Sequence, residues 1–208
     1  NHDEQRFASD FFGRDARKTF APLYVSLFLN TAPFMIYFGE EVGEKGMDEE
    51  GFSGRDGRTT IFDWWSVASI RRLRKLIASG KYRSASVSEL VENGLMKEEA
   101  ELFLRFTEAI RFAAEDCSIR QGTTYDLCYC NMSSDGFDKN RHFVFLRDYE
   151  EHTLLIAANF SNREAVMKLV IPEHAFEWMG IPKTEALHPG KVIEVKVQPM
   201  DGAIVTLI

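Results

Sequence analysis

The chain has 208 residues, 45% apolar and 27% charged, and a formal net charge of −7. That length holds one large domain or two small ones, and the composition is that of a soluble globular protein. No block of five or more Lys and Arg occurs, which argues against a nucleic-acid partner and leaves neutral ligands open.

Residues 16–30 carry Phe20, Leu23, Leu27 and Leu29 at spacings that predict a mostly buried helix. The run 34–38 is short and continuously apolar, as in a parallel strand covered on both faces. A helix feeding such a strand is the repeating unit of an α/β barrel. The uncharged stretch 19–39 has nearly the length of a membrane span. Pro33 and the Asn30-Thr31 pair interrupt it, so the reading is a buried helix and strand, with no membrane. Gly39, Gly43, Gly46, Gly51, Gly54 and Gly57 then punctuate a polar excursion from 40 to about 66, which reads as a long functional loop.

Helices are predicted over 68–78, 88–92 and 98–116. The first has Ile70, Leu73, Leu76 and Ile77 on one stripe, and the second stops at Asn93-Gly94. The third repeats Phe103, Phe106, Ile110 and Ala113 behind Glu98 and Glu99, whose charges suit a helix N-terminus. Beyond Cys117 short β-prone runs take over, at 125–131, 142–147, 153–160, 165–171, 192–197 and 203–208. Residues 173–179 read as one helical interruption, and Asp201-Gly202 as a hairpin turn. Together, 118–208 predict an antiparallel β-sandwich. Seventeen Phe predict a core dominated by aromatic burial.

Cys117, Cys128 and Cys130 form an odd set with no zinc spacing, and Cys128 and Cys130 lie two apart on a strand-like run. Buried free thiols are expected, which favours a reducing, cytoplasmic compartment and leaves a periplasmic or secreted one open. His142, His152, His174 and His188 show no metal-ligand spacing and read as ordinary surface histidines.

Three segments carry chemistry. The chain opens on Asn1-His2-Asp3, followed by Arg6; Pro33-Phe34-Met35-Ile36-Tyr37-Phe38-Gly39-Glu40-Glu41-Val42-Gly43 comes next. The third is Asp56-Gly57-Arg58-Thr59-Thr60-Ile61-Phe62-Asp63-Trp64-Trp65. This order resembles the C-terminal part of α-amylase family glycoside hydrolases. There an Asn-His-Asp motif ends the seventh barrel strand, and a Pro-x-x-x-Tyr-x-Gly-x-Glu segment forms the eighth and its exit. The third segment resembles an Asp-Gly-Arg-Thr-Pro-Met-x-Trp run of oligosaccharide-acting members, with Thr60 in place of Pro and Ile61 in place of Met.

The resemblance implies the C-terminal portion of a (β/α)8 TIM barrel over 1–117, with an excursion at 40–97, followed by the sandwich at 118–208. It implies a fragment of a retaining enzyme acting on α-glucans or malto-oligosaccharides. Asp3 is then the transition-state stabiliser and His2 a donor to sugar hydroxyls. Arg58 and Trp64 are further substrate-binding candidates, and Phe52 and Trp65 possible stacking surfaces. Retaining hydrolysis takes two carboxyl groups, a nucleophile and an acid/base. The family carries both on earlier strands, so the chain alone is expected to be inactive and to self-associate. No metal or cofactor is expected in it, though calcium is possible in the parent. The alternative is a non-catalytic sugar-binding or interaction module of an amylase-like protein.

Overall fold

The computed structural model describes residues 4–46, 58, 67–83 and 86–208. They divide into two compact units, one comprising 1–19 and 35–109, the other 20–34 and 110–208.

The first unit is helical among its described residues. Helix α2 (Ala68–Ala78) presents Ile70, Leu73 and Leu76 inward and its Arg and Lys outward. Helix α3 (Val87–Glu92) starts where the Ser86 hydroxyl accepts the Glu89 N–H, a cap that satisfies one of the otherwise unpaired first-turn amides. Helix α4 (Lys97–Glu115) supplies Ala100 to the cluster that these helices bury with Val42, Leu90 and Leu95. Arg72 of α2 grips Glu99 of α4 with two nitrogens, Nε at 2.9 Å and Nη2 at 2.5 Å. Glu99 also accepts the Met96 N–H, so one carboxylate joins two helices and the turn before α4.

The predicted strand at 34–38 does not form. These residues carry no regular structure as far as Tyr37, no described segment is laddered to them, and a strand exists only through the ladder it shares. Met35 is 81% exposed. Just beyond, Glu40–Val42 make a single 3₁₀ turn bounded by Gly39 and Gly43, both with positive φ. A Cβ on Gly43 would lie 2.8 Å from Leu102 Cδ1 and 2.9 Å from Ala16 Cβ, so this turn needs glycine for space as well as for conformation. The rest of the predicted loop, 47–57 and 59–66, lies outside the described residues.

The second unit is the sandwich that the alternation predicts. One sheet has the order β1 (Thr123–Asp126), β2 (His142–Tyr149), β3 (His152–Asn159), β6 (Asp201–Thr206). The other pairs β4 (Ala165–Val170) with β5 (Val192–Val197), and every pairing is antiparallel. Val144, Leu146, Leu155 and Ala157 of the first sheet meet Met167, Leu169, Val195 and Val197 of the second. This core is mainly aliphatic, with Phe137 and Phe176 as its buried Phe, so the expected aromatic dominance is not found there.

Strand β3 reads His-Thr-Leu-Leu-Ile-Ala-Ala-Asn, apolar on both faces, because helix α1 (Phe20–Phe28) covers its other side. The predicted helix 16–30 is therefore shorter, with a 3₁₀ turn at Ala16–Thr19 before it. Pro22 sits in the first turn of α1, where a missing N–H costs nothing. Arg147 ties these layers together from a buried position. It donates to the carbonyls of Ser118 (3.1 Å) and Ile119 (2.8 Å) in α5 (Cys117–Gln121), to Leu29 O after α1, and to Thr124 Oγ1.

Two further expectations change. Asp201-Gly202 is not a hairpin turn: β5 and β6 belong to different sheets, and the pair opens β6 opposite Asn159 and Ala158. Cys128 and Cys130 occupy a turn after β1 rather than a strand. All three cysteines are free and half-buried, and burial pushes the Cys128 thiol up to about 12.

Candidate functional site

The segment resembling a barrel exit is organised around Arg6. Its guanidinium is buried, 2% exposed, and Nη1 donates to Phe38 O at 2.7 Å. The guanidinium carbon lies 4.2 Å from the centre of the Tyr37 ring and 5.2 Å from that of Phe38. Glu40 Oε1 is 3.6 Å from Nη1. Burial lowers the Arg6 pKa, against the opposing pull of Glu40 and Glu44.

The carboxylates of this turn are strongly affected by their surroundings. Burial raises the Glu40 pKa, with Arg6 opposing, and burial raises that of Glu41 as well. Among the described residues Glu41 Oε2 is buried without a hydrogen-bond partner. Glu44 Oε1 accepts the Gly46 N–H at 2.8 Å, and its other oxygen accepts the Ser69 hydroxyl. A Cβ on Gly39 would lie 2.9 Å from Glu44 Cβ and 3.0 Å from Ile70, so the chain passes here only as glycine. In the sequence Arg6 stands only as a flanking residue of Asn1-His2-Asp3. Its signal was available: an Arg ahead of an apolar helix, with acidic residues in the Gly-rich turn.

Of the predicted site residues, His2, Asp3 and Trp64 lie outside the described residues, as do Phe52 and Trp65. Arg58 is described and half-buried. What the structure places is the support: Arg6, three residues after Asp3, bound to the turn at 37–41.

In the second unit, donor atoms of Asp116, Cys117 and His152 lie within 4.8 Å of one another, a group no linear spacing announces. Asp116 Oδ1 accepts the N–H groups of Ser118 (2.9 Å) and Ile119 (3.2 Å), and its Oδ2 meets His152 Nε2 at 2.9 Å. The carboxylate is thus committed to capping α5 and to His152. Asn159, the last residue of β3, is equally structural. Its Nδ2 donates to the carbonyls of Arg163 (2.7 Å), Gln198 (3.1 Å) and Val197 (3.3 Å), joining the end of β3 to the end of β5.

No family model matches the sequence, and no curated protein matches it. Solved structures do. The chain superposes over its whole length on AmyP in complex with maltose, with TM-score 0.60 and 11% identity, covering 39% of that chain. It matches the isomaltulose synthase SmuA from Protaminobacter rubrum with TM-score 0.51 and 14% identity, over 99% of this chain and 41% of that one. For the Nostoc punctiforme debranching enzyme, soaked with acarbose, the values are 0.50 and 17%, over 99% of this chain and 32% of that one. The chain therefore spans about a third to two-fifths of the structures it matches.

What these likenesses define is a fold, helices followed by an antiparallel sandwich. In fold the chain resembles the C-terminal part of α-amylase family glycoside hydrolases, as the order of its motifs led us to expect.

Proposed function

We propose that this chain is the C-terminal part of a retaining α-amylase family glycoside hydrolase acting on α-glucans or malto-oligosaccharides. The observation carrying the reading is the superposition of the entire chain on part of AmyP, solved in complex with maltose. It joins the order of Asn1-His2-Asp3, the turn at 37–41 and Asp56-Gly57-Arg58. In this reading Asp3 holds sugar hydroxyls and stabilises the oxocarbenium-like transition state, and His2 donates to the same ring. Arg58 and Trp64 complete the substrate contacts. Arg6 acts as a positioning residue by fixing the motif segment to Tyr37 and Phe38.

The chain by itself lacks the nucleophile and acid/base that displacement with retention requires, so it is inactive alone. The exposed apolar residues Phe34 and Met35 favour self-association of the isolated chain. Assays of the 208-residue chain on starch, maltotriose and an activated α-glucoside should show no turnover; turnover abolished by Asp3→Asn would overturn the inactive-fragment reading. In the whole protein, Asp3→Asn should lower kcat on the order of 100-fold or more with little change in KM. An effect confined to KM would remove Asp3 from the chemistry. An active-site barrel without an Asp and a Glu at its fourth and fifth strand ends would make the protein a non-catalytic sugar-binding module instead.

A further inference from the structure

Four aromatic side chains of the sandwich unit gather on one surface patch. Tyr125 lies in β1, Tyr129 in the turn after it, and His174 and Trp178 stand one helical turn apart on α6 (Glu173–Met179). The Tyr125 ring centre is 5.8 Å from Trp178, 5.7 Å from His174 and 6.3 Å from Tyr129. The hydroxyls of Tyr125 and Tyr129 meet each other, and both meet Nε2 of His174. Trp178 is 63% exposed and Tyr129 45%.

The patch is held rigidly from both sides. Helix α6 buries Ala175 and Phe176 in the sandwich core, which leaves the i, i+4 pair His174 and Trp178 on a neighbouring stripe. Gly180, with φ 74°, ends the helix two residues after Trp178. The turn bearing Tyr129 is pinned by buried Asn131, which donates to Leu127 O (2.9 Å) and Val170 O (3.0 Å) and accepts the Val170 N–H (2.8 Å). Exposed aromatics already fixed by their surroundings lose little freedom on binding a ligand.

The chemistry of the patch narrows its occupant. It offers apolar ring faces beside three converging hydrogen-bonding atoms. The carboxylates near it, Asp126 beside Tyr125 and Glu173 and Glu177 on α6, oppose nucleic-acid phosphates and anionic membranes. Glu173 is paired with Lys183. A pyranose ring fits: it is uncharged, with an apolar C–H face and hydroxyls around its edge.

We propose that Trp178 and Tyr129, with the hydroxyl and imidazole tips of Tyr125, Tyr129 and His174, form a surface binding site for a glucosyl unit of an α-glucan chain. The indole and phenol faces carry the sugar ring, and the converging tips exchange hydrogen bonds with its hydroxyls. The choice of an α-linked glucan among sugars rests on the function proposed above; the sugar chemistry itself does not.

Isothermal titration of the 208-residue chain with maltoheptaose, and separately with cellohexaose as the β-linked counterpart, tests this. Maltoheptaose should bind saturably. Trp178→Ala and Tyr129→Ala should each weaken it about tenfold or more, with melting curves unchanged, and Trp178→Phe should retain most of the affinity. Binding of cellohexaose alone, lost in the same variants, would keep the platform and overturn its α-glucan specificity. Binding of neither sugar, or binding insensitive to both alanine variants, would overturn the platform. Either result leaves the proposed function to its own test, catalysis by the whole protein.

Discussion

Arg6 stacks its guanidinium on the Tyr37 ring at 4.2 Å while giving a hydrogen bond to the carbonyl of the next residue, Phe38. One side chain thus satisfies a backbone acceptor, partners Glu40 and covers an aromatic face. In sequence it stands three residues after Asp3. A buried guanidinium is costly to strip of water, and these contacts help to offset the cost.

Arg6→Met should therefore destabilise the first unit by about 3 kcal/mol, because it removes the charge that faces Glu40 and a donor to the Phe38 carbonyl. Arg6→Lys should recover only part, since an ammonium cannot stack and donate in the same plane. Hydrogen exchange at the Gly43 and Glu44 amides, which close the turn onto Glu40 O and Gly39 O, reports the loss directly. Unchanged protection of both amides in Arg6→Met would refute the argument.

The same turn makes stability depend on pH. Burial raises the Glu40 and Glu41 carboxyls above the ordinary 4.5. Such a group binds more protons folded than unfolded, so its contribution declines as pH rises from about 4.5 through the folded value, and is flat on either side. Glu41→Gln removes one of these titrations. The variant should gain stability relative to the parent chain across that window, with no relative gain below it. Urea melts at stepped pH measure the difference; parallel curves for the two proteins would count against a raised Glu41.

Much of the fold was legible, and the failures share a cause. Helices α2, α3 and α4 follow from apolar periodicity and end signals, because their positions depend on neighbours three and four residues away. Strand β5 alternates Ile193, Val195 and Val197 with charged residues, and that pattern alone sets its buried face. Residues 34–38 carry a strand composition, yet no composition supplies the ladder partner. Asp201-Gly202 has hairpin chemistry, but β6 pairs with β3 across the sheet. At the candidate site the linear motif was visible, whereas Arg6 on Tyr37 was not. The aromatic patch was equally hidden: Tyr125, Tyr129, His174 and Trp178 come from segments that only the sandwich brings together.

Gly202 has a reason other than a turn. A Cβ there would fall 2.2 Å from the Tyr24 ring of α1, the helix that covers β3 and β6. Gly202→Ala should cost about 1–3 kcal/mol through overpacking. Tyr24→Ala alone leaves a cavity beside Phe28, whose ring packs edge-on against Tyr24 at 5.1 Å. The two changes together should be less harmful than the sum of their separate effects, because the second makes room for the first. Denaturant melts of the four proteins in the cycle decide it, and strict additivity would show that α1 does not press on Gly202.

Asp116 provides a prediction with the opposite pH sign. Burial alone would raise its carboxyl, but hydrogen bonds from Ser118, His152 and the Ile119 N–H outweigh it, and the folded pKa lies below the ordinary 3.8. A carboxyl of lowered pKa binds fewer protons folded, so its stabilisation is complete above the unfolded value and disappears as pH falls through the folded one. Asp116→Ala removes both cap and charge and should cost about 1–2 kcal/mol at neutral pH. Asn caps a helix nearly as well as Asp, so Asp116→Asn isolates the charge and its pairing with His152. Its deficit should be smaller than that of the alanine variant and should vanish in acid, while the alanine deficit persists in part. Urea melts of the three proteins from neutral pH down to roughly pH 2, below the folded value, provide the measurement. An asparagine deficit that stays constant into acid would mean that the Asp116 charge contributes nothing and that capping geometry alone holds α5.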